Sequence, residues 1–176
     1  MEFSELIQTR RSIRKYKDIP VGSDIIDKIL QAGLMAPASK LSNPWEFIVT
    51  EDSEKLVKLS DARTYGSKLI AGAAFGIVLA ADTLKTDVWI EDSAIAATFM
   101  QLRAHDLGVA SCWVQIRERY RTENQSSELY IREILGIPGH YAILCVLAFG
   151  YADEVKSPHN NDELNYFKIH REKFEL

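Results

Sequence analysis

The chain has 176 residues, of which 47% are hydrophobic and 26% charged, and a formal net charge of −4. This length and balance suit one globular domain with a real core. The mild acidity argues against a general nucleic-acid binder, which shows an excess of positive charge. The longest apolar run, Leu69–Ala81, has thirteen residues, too few to span a bilayer.

The opening MEFSELIQTRR has neither the apolar h-region nor the cleavage site of a secretory signal. Ser4 or Thr9 is placed to cap an early helical turn. Between Arg10 and Lys17, five of eight residues are cations and none is an acid. A better helix opens at Ser23 or Asp24, with Ile25, Ile26, Ile29, Leu30 and Leu34 at helical spacing. Pro37 closes it, and ASKLSNP is a polar loop. Phe47–Thr50 reads as a short strand, and Ser53 as the cap of a short helix ending at Leu59. FGIVLAA, from Phe75, is apolar on both alternating faces, as a buried central strand requires.

Trp89–Leu107 reads as a long helix. Its acidic start suits the helix dipole, Gly108 stops it, and its alanines suggest close packing against another helix. VASCWV is a strand, Ser126–Leu135 a helix ended by Gly136 and Pro138, and YAILCVLAFGY a second long buried strand. After Tyr151 the composition turns polar. An arm of this kind is either disordered or wraps around something, and Tyr166, Phe167, Ile169 and Phe174 favour docking. The final KIHREKFEL suits a short amphipathic helix or a strand on a neighbour. From these elements alone, the chain is a single-domain α/β protein. Cys112 and Cys145 lie in apolar runs and read as buried free thiols, which points to the reducing cytoplasm.

Three stretches could carry chemistry. Arginine offers a planar fork of donors matched to phosphate oxygens, and serine adds a hydroxyl, so Arg10, Arg11, Ser12 and Arg14 could surround one phosphate. A solvated surface patch and a DNA-contacting arm are the alternatives. APASKLSNPW could offer hydrogen bonds to a flat heterocycle, or be an ordinary helix-to-strand connection. LGVASCWVQI could present backbone N–H groups to a cofactor edge, or be a core strand. The histidines His105, His140, His159 and His170 are scattered, without metal-ligand spacing. There is no dinucleotide fingerprint and no P-loop. No nucleophile arrangement stands out, so no catalytic side chain and no metal site is assigned.

In combination these stretches resemble the FMN-dependent nitroreductase family. TRRSIRKYKDIPV resembles its opening motif, APASKLSNPWEFIV its Pro-Ser…Gln-Pro-Trp segment, and WIEDSAIAATFMQLRAHDLGVASCW its dimer-core helix and following strand. LGIPGHYAILCVLAFGYADE and KIHREKF resemble its closing strand and its tail, so the likeness spans nearly the whole chain in order. The resemblance implies one domain, residues 1–176, of α+β fold: a mixed, mostly antiparallel sheet flanked by helices. Residues 152–176 would form a C-terminal extension wrapping the partner of a homodimer. It also implies FMN at the dimer interface and electrons from NADH or NADPH. These would pass by a ping-pong mechanism to nitroaromatics, quinones or similar electron-poor small molecules. No nucleic acid or membrane partner is implied. A non-catalytic FMN store or sensor of the same fold is the alternative.

On that resemblance Arg10, Arg11 and Ser12 match positions that hold the FMN phosphate. Arg14 matches one near the phosphate or the pyrimidine carbonyl. Pro37, Ala38, Ser39 and Leu41 match a loop reaching the flavin of the other subunit. Val114, Gln115 and Ile116 match the strand end whose backbone faces the reactive N5 edge. Leu41 stands where many relatives carry asparagine, Asn43 where glutamine is common, and Gln115-Ile116 where a glycine-containing pair is frequent. Lys156 is the one tail cation before Lys168 available to the phosphate site.

Overall fold

Residues 1–174 are described by a computed structural model. Helix α1 is Phe3–Thr9, and it buries only Leu6. Neither predicted cap opens it: Glu2 holds the cap position, and the Thr9 hydroxyl bonds back to the Glu5 carbonyl at 2.7 Å. Helix α2, Ser23–Leu34, buries Ile26 and Ile29 and leaves Leu34 exposed. Gly33 lets it approach its neighbour, since a Cβ there would sit 2.9 Å from Met100 and 3.0 Å from Phe47.

Strand β1 is Trp45–Thr50, beginning two residues before the expected start. Helix α3 is Ser53–Ser60. Asp52, not Ser53, caps it by accepting the N–H groups of Glu54 and Lys55 at 2.9 and 3.2 Å. The long apolar run divides into a 3-10 turn, Lys68–Gly72, and strand β2, Phe75–Asp82. Helix α4 is Trp89–Asp106, and strand β3 is Ala110–Gln115. A hairpin of β4, Tyr120–Thr122, and β5, Gln125–Ser126, precedes α5, Ser127–Leu135. The Ser126 hydroxyl caps α5, and Gly136 ends it at φ +67°. Strand β6 is Tyr141–Gly150.

The sheet order is β1-β2-β6-β3, and every strand pair is antiparallel. An α/β reading expects parallel crossovers. Here α3 and α5 each join strands that run in opposite directions, while α4 carries the chain from β2 across β6 to the codirectional β3, so neighbours in the sheet are all antiparallel and the fold is α+β. Among the described residues, the parallel element is a bridge between Ser12 and Ser111. Side-chain alternation along β2 and β6 divides the core. Phe75, Ile77, Leu79, Leu147 and Phe149 pack against α2 and α4, with Phe75 and Phe149 stacked at 4.7 Å. Val78, Ile143, Val146 and Ala148 pack against α3 and α5.

The register between β2 and β6 slips at Leu79/Ala80, where the pairing steps from Cys145 to Ile143 and leaves Leu144 as a bulge. The Leu144 carbonyl accepts the N–H groups of Ile116 and Arg117, both at 3.1 Å, and this ends β3. After β6 the chain bridges Tyr16 through Ala152. From Val155 to Phe174 every residue is exposed, and 3-10 turns at Asn161–Glu163 and Tyr166–Lys168 are its regular elements. The described part of KIHREKFEL contains no α-helix, and its last two residues lie outside the described residues.

Candidate functional site

The basic segment leaves α1 and runs along β3, an outer strand of the sheet. The Ile13 N–H donates to the Ser111 carbonyl at 3.1 Å, and the Ile13 side chain is buried. Alternation along an extended segment puts Arg10, Ser12 and Arg14 on one side. Burial pushes the Cys112 pKa up, against the opposing influence of the Arg14 and Arg10 charges and of Ser12.

The segment is then tied to the outgoing tail. Lys17 N–H donates to Tyr151 O at 2.8 Å, and Asp153 N–H to Lys15 O at 2.9 Å. The Tyr16 hydroxyl donates to Ile13 O at 2.7 Å, and burial drives its pKa upward. The Glu154 carboxylate accepts the N–H groups of Arg14 and Lys15 at 2.5 and 3.2 Å and pairs with Lys156 at 3.0 Å. The Arg14 N–H first, and then Lys156, hold its pKa below the ordinary glutamate value. The Arg11 guanidinium donates to the Ser157 carbonyl, and the His159 N–H to the Gln8 carbonyl at 2.9 Å. The result is a cleft of about 350 Å3 lined by Arg10, Arg11, Ser12, Arg14, Lys156 and His159. Behind it, His105 bonds to the Thr9 hydroxyl at 2.8 Å. Burial and then the Arg10 charge push the His105 pKa down, which favours the neutral imidazole.

Further along the same edge lies the end of β3. Because the Ser111 carbonyl points outward to Ile13, alternation aims the main-chain groups of Trp113 and Gln115 at this edge too. Val114 is buried against α3 and α5. The Gln115 side chain accepts from Trp113 Nε1 at 2.9 Å and donates to Arg117 O at 3.0 Å. Ile116 is fully buried, and its N–H is taken by Leu144.

The third expected set lies elsewhere. Ala36 is buried, Pro37 exposed and Ala38 partly covered. Ser39–Leu41 form a 3-10 turn in which Leu41 is 85% exposed. Lys40, Leu41 and Asn43 adopt φ of +50°, +56° and +39°. Backbone of this kind in non-glycine residues is costly and persists only when its surroundings impose it. Asp92, in the first turn of α4, imposes it here. Its carboxylate accepts the Ser39 N–H at 3.0 Å and the Ser42 hydroxyl at 3.1 Å. The basic segment sits at the other end of α4, beside His105 and Asp106. Thirteen residues at about 1.5 Å each put the two ends about 20 Å apart. The loop feeds β1 and the basic segment flanks β3, the two outermost strands, about 14 Å apart at the usual spacing. One protomer thus brings Arg10, Arg11, Ser12, Arg14 and the end of β3 to a single edge, and holds Pro37, Ala38, Ser39, Leu41 and Asn43 away from it.

The nitroreductase family model matches residues 7–64 and 60–151. The chain belongs to the nitroreductase family. A solved FMN-dependent nitroreductase from Clostridium difficile R20291 is 47% identical, with a TM-score of 0.95 over 98% of this chain and 100% of that one. An Archaeoglobus fulgidus protein bearing the provisional name NADH dehydrogenase/NAD(P)H nitroreductase is 36% identical over 178 residues, 98% of this chain and 99% of its own. The NADPH-flavin oxidoreductase of Vibrio harveyi is 26% identical over 165 residues, 85% of this chain and 65% of that protein.

Within this nitroreductase-family fold, three residues had no site role in the sequence. Asp92 read only as a helix-dipole acid. The signal for more was its pairing with a loop rich in serine and asparagine that needs its amides satisfied. Glu154 and His159 belong to a tail that looked merely polar. Nothing local in the sequence marked them, since Glu154 accepts main-chain N–H groups of Arg14 and Lys15 and His159 is held by its own N–H on the Gln8 carbonyl. Chemically, the cleft can take a dianion in its fork of arginines, and the β3 edge can exchange main-chain hydrogen bonds with a planar polar rim.

Proposed function

We propose that this chain is an FMN-dependent NAD(P)H oxidoreductase that reduces nitroaromatics, quinones or similar electron-poor small molecules. The observation that carries this reading is the cleft of Arg10, Arg11, Ser12, Arg14, Lys156 and His159 at the open edge of β3. Its donor set fits a phosphate monoester, and the adjoining strand edge fits the polar rim of a flavin. Arg10, Arg11 and Ser12 hold the phosphate, with Lys156 and His159 closing the cleft from the tail. Arg14 lies nearer the ring, where a cation favours negative charge on the N1–C2 carbonyl side. The main chain of the Val114–Ile116 strand end orients the opposite rim. Bound FMN supplies the hydride-accepting ring system, so no nucleophile or metal is required of the protein.

The working form is a homodimer. Val155 is 97% exposed, and Tyr166, Phe167, Ile169 and Phe174 are likewise uncovered. An apolar set of this size on one arm calls for a surface to cover it. The loop at Pro37, Ala38, Ser39, Leu41 and Asn43, remote from its own cleft, would serve the partner's.

The visible spectrum of the purified protein is the test. Flavin bands bleached anaerobically by NADH or NADPH support the enzyme. Flavin that neither nucleotide bleaches supports a store or sensor. A colourless protein that takes up no added FMN overturns the reading. Arg10→Ala with Arg14→Ala should weaken FMN binding by about 1.5–3 kcal/mol per lost charge-assisted contact. Light scattering in solution tests the dimer, and a monomer at micromolar concentration refutes it.

A further inference from the structure

His159 enters the cation cleft on a main chain that is fixed at both of its polar atoms. Its N–H donates to the Gln8 carbonyl at 2.9 Å, and its carbonyl accepts from Gln8 Nε2 at 3.2 Å. Gln8 belongs to α1, 151 residues earlier in the chain. This reciprocal pair therefore staples the tail to the helix that leads into the basic segment. Arg11, donating to the Ser157 carbonyl, ties down the same stretch a second time. Among the described residues nothing hydrogen-bonds the His159 ring itself. The ring is exposed and lines the cavity of about 350 Å3. A fixed main chain and an uncommitted ring hold an imidazole ready for an anion in the cleft.

The charged groups that share the cavity with this ring are Arg10, Arg11 and Arg14 of the basic segment and Lys156 of the tail. Helix α1 contributes the uncharged Gln8. Glu154 lies outside the cavity lining and is engaged by Lys156 at 3.0 Å and by the Arg14 and Lys15 N–H groups. An empty cleft of four cations disfavours a fifth positive charge, and a phosphate dianion among them favours it. Imidazole changes its charge between about pH 5 and 8, whereas arginine, lysine and glutamate keep theirs there. His105, the other histidine beside the segment, does not line this cleft and is committed elsewhere. The Thr9 hydroxyl gives its single hydrogen to the Glu5 carbonyl at 2.7 Å, so His105 Nε2 is the donor of the 2.8 Å bond to Thr9. Burial, and then the Arg10 charge, keep that imidazole neutral above the ordinary histidine value.

We propose that His159 is the proton-carrying ligand of the phosphate site: its ring takes up a proton when a phosphate monoester binds, so cofactor affinity falls as pH rises through neutrality. This rests on the FMN reading above and adds a charge that the site acquires only when occupied. The experiment titrates the full-length, flavin-free protein with FMN and with riboflavin, which lacks the phosphate. Flavin fluorescence is followed from about pH 6.5 to about pH 8.5, where imidazole loses its charge. A phosphate monoester, with a second pKa of about 6, is already the dianion there, and its own titration moves affinity the other way. Wild-type FMN affinity should fall roughly 10-fold across the window, the lower end of what a charge-assisted contact supplies, while riboflavin affinity stays level. His159→Gln keeps both main-chain bonds; it should bind FMN about 10-fold more weakly at the acid end and show a flat profile. His159→Lys, whose charge is fixed, should bind tightly at both ends. Calorimetry at the middle of the window, in buffers of different ionisation enthalpy, should show proton uptake that disappears in His159→Gln and persists in His105→Gln. A His159→Gln profile as steep as wild type, or proton uptake that follows His105 instead, overturns the proposal. Failure of the wild type to take up FMN at any pH sinks the flavin reading instead. Inorganic phosphate then replaces FMN in the same calorimetry, and proton uptake that is absent from wild type or unchanged in His159→Gln overturns the proposal there too.

Discussion

Replacing Asp92 by alanine separates two accounts of this acid by magnitude. If it only complements the α4 dipole, its removal costs about 0.3–1 kcal/mol. The structure gives it more to do: the side chain is only 4% accessible and accepts the Ser39 N–H and the Ser42 hydroxyl. Hydrogen bonds to a charged acceptor are worth about 1.5–3 kcal/mol each, and the two share one carboxylate, so about 3 kcal/mol is expected for the pair. The loop they hold carries three non-glycine residues at positive φ and relaxes once released. For a chain of this length 1 kcal/mol moves the melting temperature by about 2–4 °C, which predicts a fall of roughly 6–12 °C.

Thermal and urea denaturation read the stability, and limited trypsinolysis reads the loop. Cleavage after Lys40, already exposed, should accelerate in Asp92→Ala. Glu91 is the internal control, since it occupies the same helical turn and is exposed. Glu91→Gln reports the dipole contribution alone. Asp92→Asn keeps one acceptor oxygen and should fall between the two. If Asp92→Ala lowers the melting temperature no more than Glu91→Gln and leaves Lys40 as resistant as before, the pinning role is refuted.

Two further outcomes follow from the basic segment. A Cβ at Gly150 would sit 3.0–3.1 Å from the Tyr16 ring, so Gly150→Ala should cost about 1–3 kcal/mol and weaken FMN binding by displacing the segment; unchanged melting and unchanged FMN affinity would exclude this. Glu154 has a folded pKa below its unfolded value, so its contribution is present above about pH 4.3 and is lost as pH falls through the folded value. Wild-type stability should therefore drop more steeply on acidification below about pH 4.3 than that of Glu154→Gln, and parallel pH–stability curves would remove Glu154 from the account.

Elements whose signals are local were legible in the sequence. The α2 periodicity, the α5 cap and glycine stop, and the two apolar strands each follow from neighbours within a few residues. The misplaced cap of α3 shows the limit of composition, because Asp52 and Ser53 are both good caps and only backbone geometry chooses between them. Leu144 is invisible for a related reason. A bulge is a property of two paired strands, and nothing in YAILCVLAFGY marks which residue will be unpaired. The site divided along the same line. Arg10, Arg11, Ser12 and Arg14 could be grouped because they lie within five residues of one another. Glu154 and His159 could not, since they reach that segment through contacts some 140–150 residues away in sequence.

The same distinction explains why the loop at Ser39 and the cations at Arg10 read as parts of one site although a protomer keeps them apart. Both are tied to α4, the loop through Asp92 and the basic segment through His105. A helix is rigid at this length, so the separation of about 20 Å along it cannot be closed by local adjustment. In the proposed dimer, a ligand that meets both would take them from different copies of the chain. The arm from Val155 to Phe174 exposes its apolar residues without using them internally, so pairing would cover that surface in the same step that completes the site. In that dimer, stability of the arm and competence of the cleft would be linked through the partner, and protein concentration would become a variable of cofactor affinity.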